Sequence, residues 1–258
     1  MSAAMLSRRD VFLRGALVAF SFGFVACSRQ QPEPQKTQAT PPSWPRRSTH
    51  EGVDFIELFP SNADESSPIL VAIHGRGDRP ENWIDTWREF PAPVRVVLPR
   101  AFDPFGDGYT WFPLRSTMSD EDFGKAVGDA EARLWNAVSK LTGGKRVLVT
   151  GFSQGGILSY AFAARHPTDV IHAFPVAGAL PKPLLPTNGA HSAPITAFHG
   201  TADKMIPFAW GRESIDALVA GGSPAELHEY PGSRTRSPPK SAATSGRRFG
   251  KRSEPPGP

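Results

Sequence analysis

Ser153 lies in Gly151-Phe152-Ser153-Gln154-Gly155-Gly156, after an apolar run at 146–150 and before a helical pattern that opens at Gln154. G-x-S-x-G between a strand and a helix makes a sharp turn, with a strained serine whose hydroxyl projects above the sheet edge. Such a hydroxyl attacks an acyl carbonyl once a base takes its proton. His74-Gly75-Arg76-Gly77-Asp78 closes an earlier apolar run, 69–74. A loop in that place supplies one backbone N–H to a developing oxyanion, and the residue after the nucleophile supplies the other. Those roles fall to the amides of Arg76 and Gln154. His74 itself reads as a hydrogen-bonding residue that shapes this loop, not as a base. His199-Gly200-Thr201-Ala202-Asp203 follows a third apolar run, 194–199. Asp203, downstream of the serine, is the candidate orienting carboxylate; the alternative is an N-cap for the helix expected from Pro207.

These turns need strands and helices to hold them. Strands are expected at 53–59, 69–74, 94–99, 146–150, 170–177, 194–199 and 226–230, several as near-continuous Val/Ile/Leu/Ala runs suited to burial on both faces. Helices are expected at 81–90, 120–141, 154–165 and 207–220. In the second of these, Phe123, Val127, Ala130, Leu134, Val138 and Leu141 recur every three or four residues, with Ser119 as N-cap and Asp122 in the first turn. Alternation of the two patterns predicts an α/β fold, a doubly wound, mostly parallel sheet. No internal repeat occurs. No HExxH, no Walker loop and no GxGxxG after a strand is present, so no metal and no nucleotide cofactor is expected.

The chain has 258 residues and a formal charge of +4. The charge is unevenly spread. Residues 1–49 hold seven basic and two acidic side chains, and residues 233–258 hold seven basic and one acidic. The segment between is acidic, so the basic balance belongs to the ends and no nucleic-acid partner is implied.

The N-terminus reads as a targeting segment. Arg8-Arg9 precede twelve mostly apolar residues, 15–26, too few to cross a bilayer core of ~30 Å at ~1.5 Å per helical residue. A twin-arginine signal peptide is expected over 1–27. Phe24-Val25-Ala26-Cys27 resembles a bacterial lipobox, with the only cysteine of the chain at the lipidated position. Residues 28–49 read as a Pro/Gln-rich linker with little to bury. The expectation is export to the periplasmic side and a lipid anchor on Cys27 to the membrane, with the outer membrane implied by Ser28.

Taken together, the three motifs and Trp111 in Gly108-Tyr109-Thr110-Trp111-Phe112 resemble the phospholipase/carboxylesterase family of α/β-hydrolases, which includes the acyl-protein thioesterases. The resemblance covers about 50–232. It implies a cofactor-free serine hydrolase acting on small-molecule carboxylic esters or thioesters through an acyl-enzyme. Ser153 would be the nucleophile, Asp203 the triad acid, and Arg76 and Gln154 the oxyanion hole. Trp111 would line the substrate pocket, or else pack on the core.

The resemblance breaks where a base is required. The family's histidine lies just after the last strand; here Tyr230-Pro231-Gly232 leads to Ser233-Arg234-Thr235, and Thr235 holds its place. No histidine follows His228, and the last helix of the fold is expected to be missing. Residues 233–258 are either a natural basic, disordered tail or the product of a shifted reading frame. Impaired catalysis is expected in either case. A secreted feruloyl-esterase or polyester-depolymerase relative, and a non-catalytic binding lipoprotein of the same fold, are the alternative readings.

Overall fold

The structure is a computed structural model that describes residues 44–233 apart from 60–62, 65, 89 and 115–116. The expected signal peptide with Cys27, most of the 28–49 linker, and the tail beyond Ser233 with Thr235 lie outside the described residues.

Ten strands occur among the described residues: β1 (Arg46–His50), β2 (Val53–Leu58), β3 (Ile69–Ile73), β4 (Arg95–Pro99), β5 (Asp103–Phe105), β6 (Gly108–Thr110), β7 (Val147–Phe152), β8 (Val170–Val176), β9 (Ile195–Gly200) and β10 (Ala225–Tyr230). The helices are α1 (Ile84–Arg88), α2 (Asp120–Thr142), α3 (Gln154–Arg165) and α4 (Phe208–Ala220). Eight strands form one sheet in the order β1-β2-β4-β3-β7-β8-β9-β10, and β5 and β6 form a separate hairpin. Pairing is antiparallel at β1–β2 and β2–β4 and parallel from β4 through to β10. The doubly wound α/β expectation holds.

The central strands are dry on both sides; every residue of β3 is buried. On one face α2, α3 and α4 cover Val71, Val149, Ala173, Ile195 and Ala197. On the other, the segment around Trp83 and α1 covers Ile56, Leu70, Val96 and Leu98. Helix α2 begins and ends on the expected chemistry. The Ser119 hydroxyl accepts from the Asp122 N–H at 3.0 Å, and Gly143 closes the helix at φ 63°, a left-handed conformation that glycine adopts at little cost.

Two expectations need correction. The sheet starts at Arg46, so the last residues assigned to the 28–49 linker are an edge strand. Electrostatics recruits that strand: Glu57 on β2 is fully buried, and its Oε1 accepts from Nε and Nη2 of Arg46 at 2.9 and 2.7 Å. Its Oε2 accepts from Nε of Arg95 at 3.0 Å. An ion cluster leaves no apolar periodicity to read. The helix expected at 81–90 is a 3-10 turn, Pro80–Trp83, followed by the short α1.

Candidate active site

The order of strands reverses between β3 and β7, because the chain leaves β3 for β4 on one side and builds β7 to β10 on the other. The crevice at the carboxyl ends of two such strands is where open α/β sheets place their ligands. Arg76 follows β3 and Ser153 follows β7.

Ser153 has φ 54° and ψ −114°, a conformation that costs a non-glycine residue about 1–3 kcal/mol. Neighbouring bonds hold it there: its N–H donates to the Val176 carbonyl at 3.0 Å, and its carbonyl accepts from the Ile157 N–H at 2.9 Å. The glycines around it are forced by contact. A Cβ on Gly151 would lie 2.3 Å from the Gly155 carbonyl oxygen, and one on Gly156 2.5 Å from that of Val176. The Gln154 N–H is the first amide of α3 and has no intrahelical acceptor. The helix dipole adds partial positive charge at the same place.

The loop after β3 is pinned on both sides of Arg76. The Gly77 N–H donates to the Tyr109 carbonyl at 2.7 Å, and the Tyr109 N–H to that of Asp78 at 3.0 Å. Asp78, nearly buried, accepts from the Arg79 N–H at 2.8 Å, Asn82 at 2.6 Å and the Trp83 indole at 2.9 Å. The Arg76 guanidinium stacks over Phe105, 4.0 Å from the ring centroid. Gly75 brings this loop against the elbow: a Cβ there would meet Phe152 Cδ1 at 3.1 Å and Ser153 Cβ at 3.5 Å.

His74 is a buried structural residue, as expected. Its Nδ1–H donates to the Gly75 carbonyl at 2.7 Å, and Nε2 accepts from the Ala101 N–H at 3.2 Å. Burial pushes its pKa below the ordinary 6.5, partly opposed by the Gly75 hydrogen bond. The folded state therefore holds the ring neutral while the unfolded chain takes up a proton as pH falls below about 6.5. This term of stability is full above that pH and is lost on acidification. Melting curves from pH 8 to pH 5 should show Tm falling below pH 6.5, with a shallower fall in His74→Gln.

Asp203 does not cap α4, whose N-cap is Pro207. Its side chain is 6% exposed and lies in the loop after β9. Oδ1 accepts from the N–H groups of Met205 and Ile206 at 2.8 and 3.2 Å. Oδ2 accepts no hydrogen bond among the described residues and lies 3.9 Å from Nε2 of His199. The nearby strand end is stitched to this loop: Thr201 N–H donates to the Tyr230 carbonyl at 3.1 Å, and Ala202 N–H to that of Ser233 at 3.2 Å.

All seven histidines lie within the described residues, and none hydrogen-bonds Ser153. His166 pairs with the buried Glu131, His172 with Thr196, and His191 with the Gly221 carbonyl. His199 donates to the Ile206 carbonyl at 2.9 Å. Exposed His228 stacks near Phe198 with its Nε2 3.5 Å from Glu226, and the His50 ring sits by Phe55.

Trp111 is corrected from pocket to core. It is 2% exposed, its ring meets Phe102 edge-on, and its indole N–H donates to the His74 carbonyl at 2.8 Å. The open apolar groove is elsewhere, a cavity of about 340 Å³ lined by Phe123, Leu180, Leu185, Trp210 and Ala217. Three chain segments meet there, so no local pattern marks it in the sequence. Leu180 belongs to the segment after Gly178, whose Cα lies 3.3 Å from where a Gly156 Cβ would be. That contact ties the groove wall to the start of α3.

A strained serine elbow at the switch point of a mostly parallel sheet, with the hydrogen-bonded loop after β3 packed against it, is the architecture of an α/β-hydrolase. Residues 57–244 match the model of the phospholipase/carboxylesterase family, and the chain belongs to that family. By descent it is a carboxylic ester hydrolase. It is 26% identical over 215 residues to acyl-protein thioesterase 1 of Mycosarcoma maydis, covering 68% of this chain and 87% of that one. It is 27% identical over 155 residues to the NocK esterase of Nocardia uniformis subsp. tsuyamanensis, covering 56% of this chain but only 42% of that protein. In structure it resembles a Bacillus cereus carboxylesterase at a TM-score of 0.60 with 14% identity, over 71% of this chain and 88% of the other. At that identity the likeness speaks for the fold alone.

Proposed function

We propose that this chain is a serine hydrolase of carboxylic esters or thioesters that works without its imidazole base and is slow for that reason. The strained Ser153 elbow beside the pinned Arg76 loop is the observation that carries this reading. Ser153 Oγ attacks the acyl carbonyl and loses its proton to solvent water. The carbonyl oxygen takes up the electron pair and is stabilised by the Arg76 and Gln154 N–H groups. The alkoxide or thiolate then leaves, and water hydrolyses the acyl-enzyme. Removing a triad member leaves a residue of catalysis from the oxyanion hole and binding, so measurable turnover is expected.

The groove between Phe123, Leu180, Leu185 and Trp210 supports an apolar acyl group of moderate size as its occupant. The test is hydrolysis of p-nitrophenyl esters from acetate to decanoate. Slow turnover that Ser153→Ala abolishes, and a chain-length preference that Leu180→Arg shortens, are expected. Equal rates for the native chain and Ser153→Ala would instead favour a ligand-binding lipoprotein, the reading that the absent base recommends. Export under the Arg8-Arg9 signal and anchoring through Cys27 complete the proposal; labelling with radioactive palmitate that Cys27→Ala prevents is the check.

A further inference from the structure

The two oxyanion donors come from separate loops, and one side chain bridges them. Gln154 is 1% exposed, and its amide is spent entirely on the segment after the hairpin. Its Oε1 accepts from the Trp111 N–H at 3.1 Å, and its Nε2 donates to the Phe112 carbonyl at 2.8 Å. The Thr110 hydroxyl stands 3.1 Å from Oε1 and 3.0 Å from the Phe112 carbonyl, with one proton for either. From Trp111 the connection continues, because its indole N–H donates to the His74 carbonyl. His74 in turn donates from Nδ1 to the Gly75 carbonyl, and that peptide carries the Arg76 N–H. The links through Gln154, Trp111 and His74 are buried, where an unmade hydrogen bond costs about 1–3 kcal/mol, so none of them slackens without another shifting.

We propose that the side chain of Gln154 is a positioning residue that sets the place of the Arg76 N–H relative to its own, through Trp111 and His74. This rests on the serine-hydrolase reading above. The residue thus has two separable parts: its main chain is one oxyanion donor, and its side chain aligns the other. A polar amide is needed because the strip presents the Trp111 N–H and the Phe112 carbonyl on adjacent residues, which one planar CONH₂ group satisfies together. The arrangement also accounts for a tryptophan in the core at position 111, where a phenylalanine would fill the space but could not reach the His74 carbonyl as a donor.

Two readouts on the full chain test this. Amide hydrogen exchange followed by NMR reports the link directly. Gln154→Met should speed exchange at the Trp111 indole about tenfold or more, move the resonance of the Arg76 N–H, and leave the Leu134 amide in α2 unchanged. Titration with phenylboronic acid, which forms a tetrahedral adduct on an elbow serine, reports its effect. The dissociation constant should rise about tenfold or more, part of the 10²–10³-fold that loss of a whole oxyanion donor costs. Trp111→Phe should reproduce the Arg76 resonance change and the weaker boronate binding. An unmoved Arg76 resonance, or a rise in exchange at Leu134 matching that at the Trp111 indole, overturns the proposal. If the native chain binds no boronate while the exchange coupling holds, the hydrolase reading falls and the positioning link stands.

Discussion

Thr235→His is expected to hydrolyse p-nitrophenyl butyrate about 10²-fold faster than the native chain, the scale of a positioned general base. The reason lies in the loop that carries Asp203. The Ser233 carbonyl accepts from the Ala202 N–H, so the last described residue lies beside the loop of Asp203, the proposed triad acid. Two residues span at most about 7 Å, a chain length that permits a side chain at position 235 to reach that loop. Asp203 has spent Oδ1 on the Met205 and Ile206 amides and has Oδ2 left for an imidazole N–H. The gain should appear as a limb rising through about pH 6.5, where imidazole loses its proton. The control is the double variant with Ser153→Ala, which must return to background. A rate equal to that of the native chain would show that more than the base is missing.

Gly155→Ala is expected to cost more than about 4 kcal/mol of stability, in the range reserved for a buried steric conflict. A Cβ there would lie 2.0 Å from the Ile73 carbonyl oxygen, 2.6 Å from its carbon and 2.8 Å from the His74 carbonyl oxygen. All three are backbone atoms at the end of the fully buried β3, so no rotamer change relieves the overlap. Gly221→Ala is the matched control. It ends α4 at φ −79°, its Cβ would meet only the Ala217 and Leu218 carbonyl oxygens at 3.5 Å, and the change should stay within about 0.5 kcal/mol. Urea denaturation of both variants measures the difference. A Gly155→Ala protein within 1 kcal/mol of the native one would mean that α3 does not press on β3 as closely as the structure has it.

Much of the site was legible because each of its parts is a local pattern. Strand, glycine turn and helix are consecutive around Ser153, and the Arg76 and Asp203 loops each follow their own apolar strand. His74 was readable as structural for the same reason, since it ends a buried strand. Three features escaped. β1 is joined to the sheet by Arg46 and Glu57, residues whose types signal solvent rather than a strand. The hairpin of β5 and β6 has only three residues on each strand, too few for a period of two to show. The groove is assembled from α2, the segment after β8, and α4, which lie some 90 residues apart in the chain.

The uncovered part of the sheet teaches the same lesson. On one face of β7 to β10, Phe152, Phe174 and Phe198 are half-buried, and Glu226, His228 and Tyr230 are exposed. Phe152 packs at the margin of the cluster under Trp83, and among the described residues no helix is packed on Phe174, Phe198 or those β10 side chains, although parallel sheets are ordinarily covered on both sides. The sequence pointed to a missing final helix by composition. Only the register of four strands shows which side chains share that face.

By itself the sequence determined the family and the α/β fold, and it singled out Ser153, Asp203, Arg76 and Gln154 as candidates, because each depends on residue types at short spacing along one turn. Only the tertiary structure decided between the two readings of Trp111 in favour of the core, and showed that Gln154 spends its side chain on a loop some 40 residues away and that Asp203 Oδ2 accepts no hydrogen bond among the described residues. Those facts depend on which atoms meet across the switch point, and contacts between distant segments leave no period in the chain.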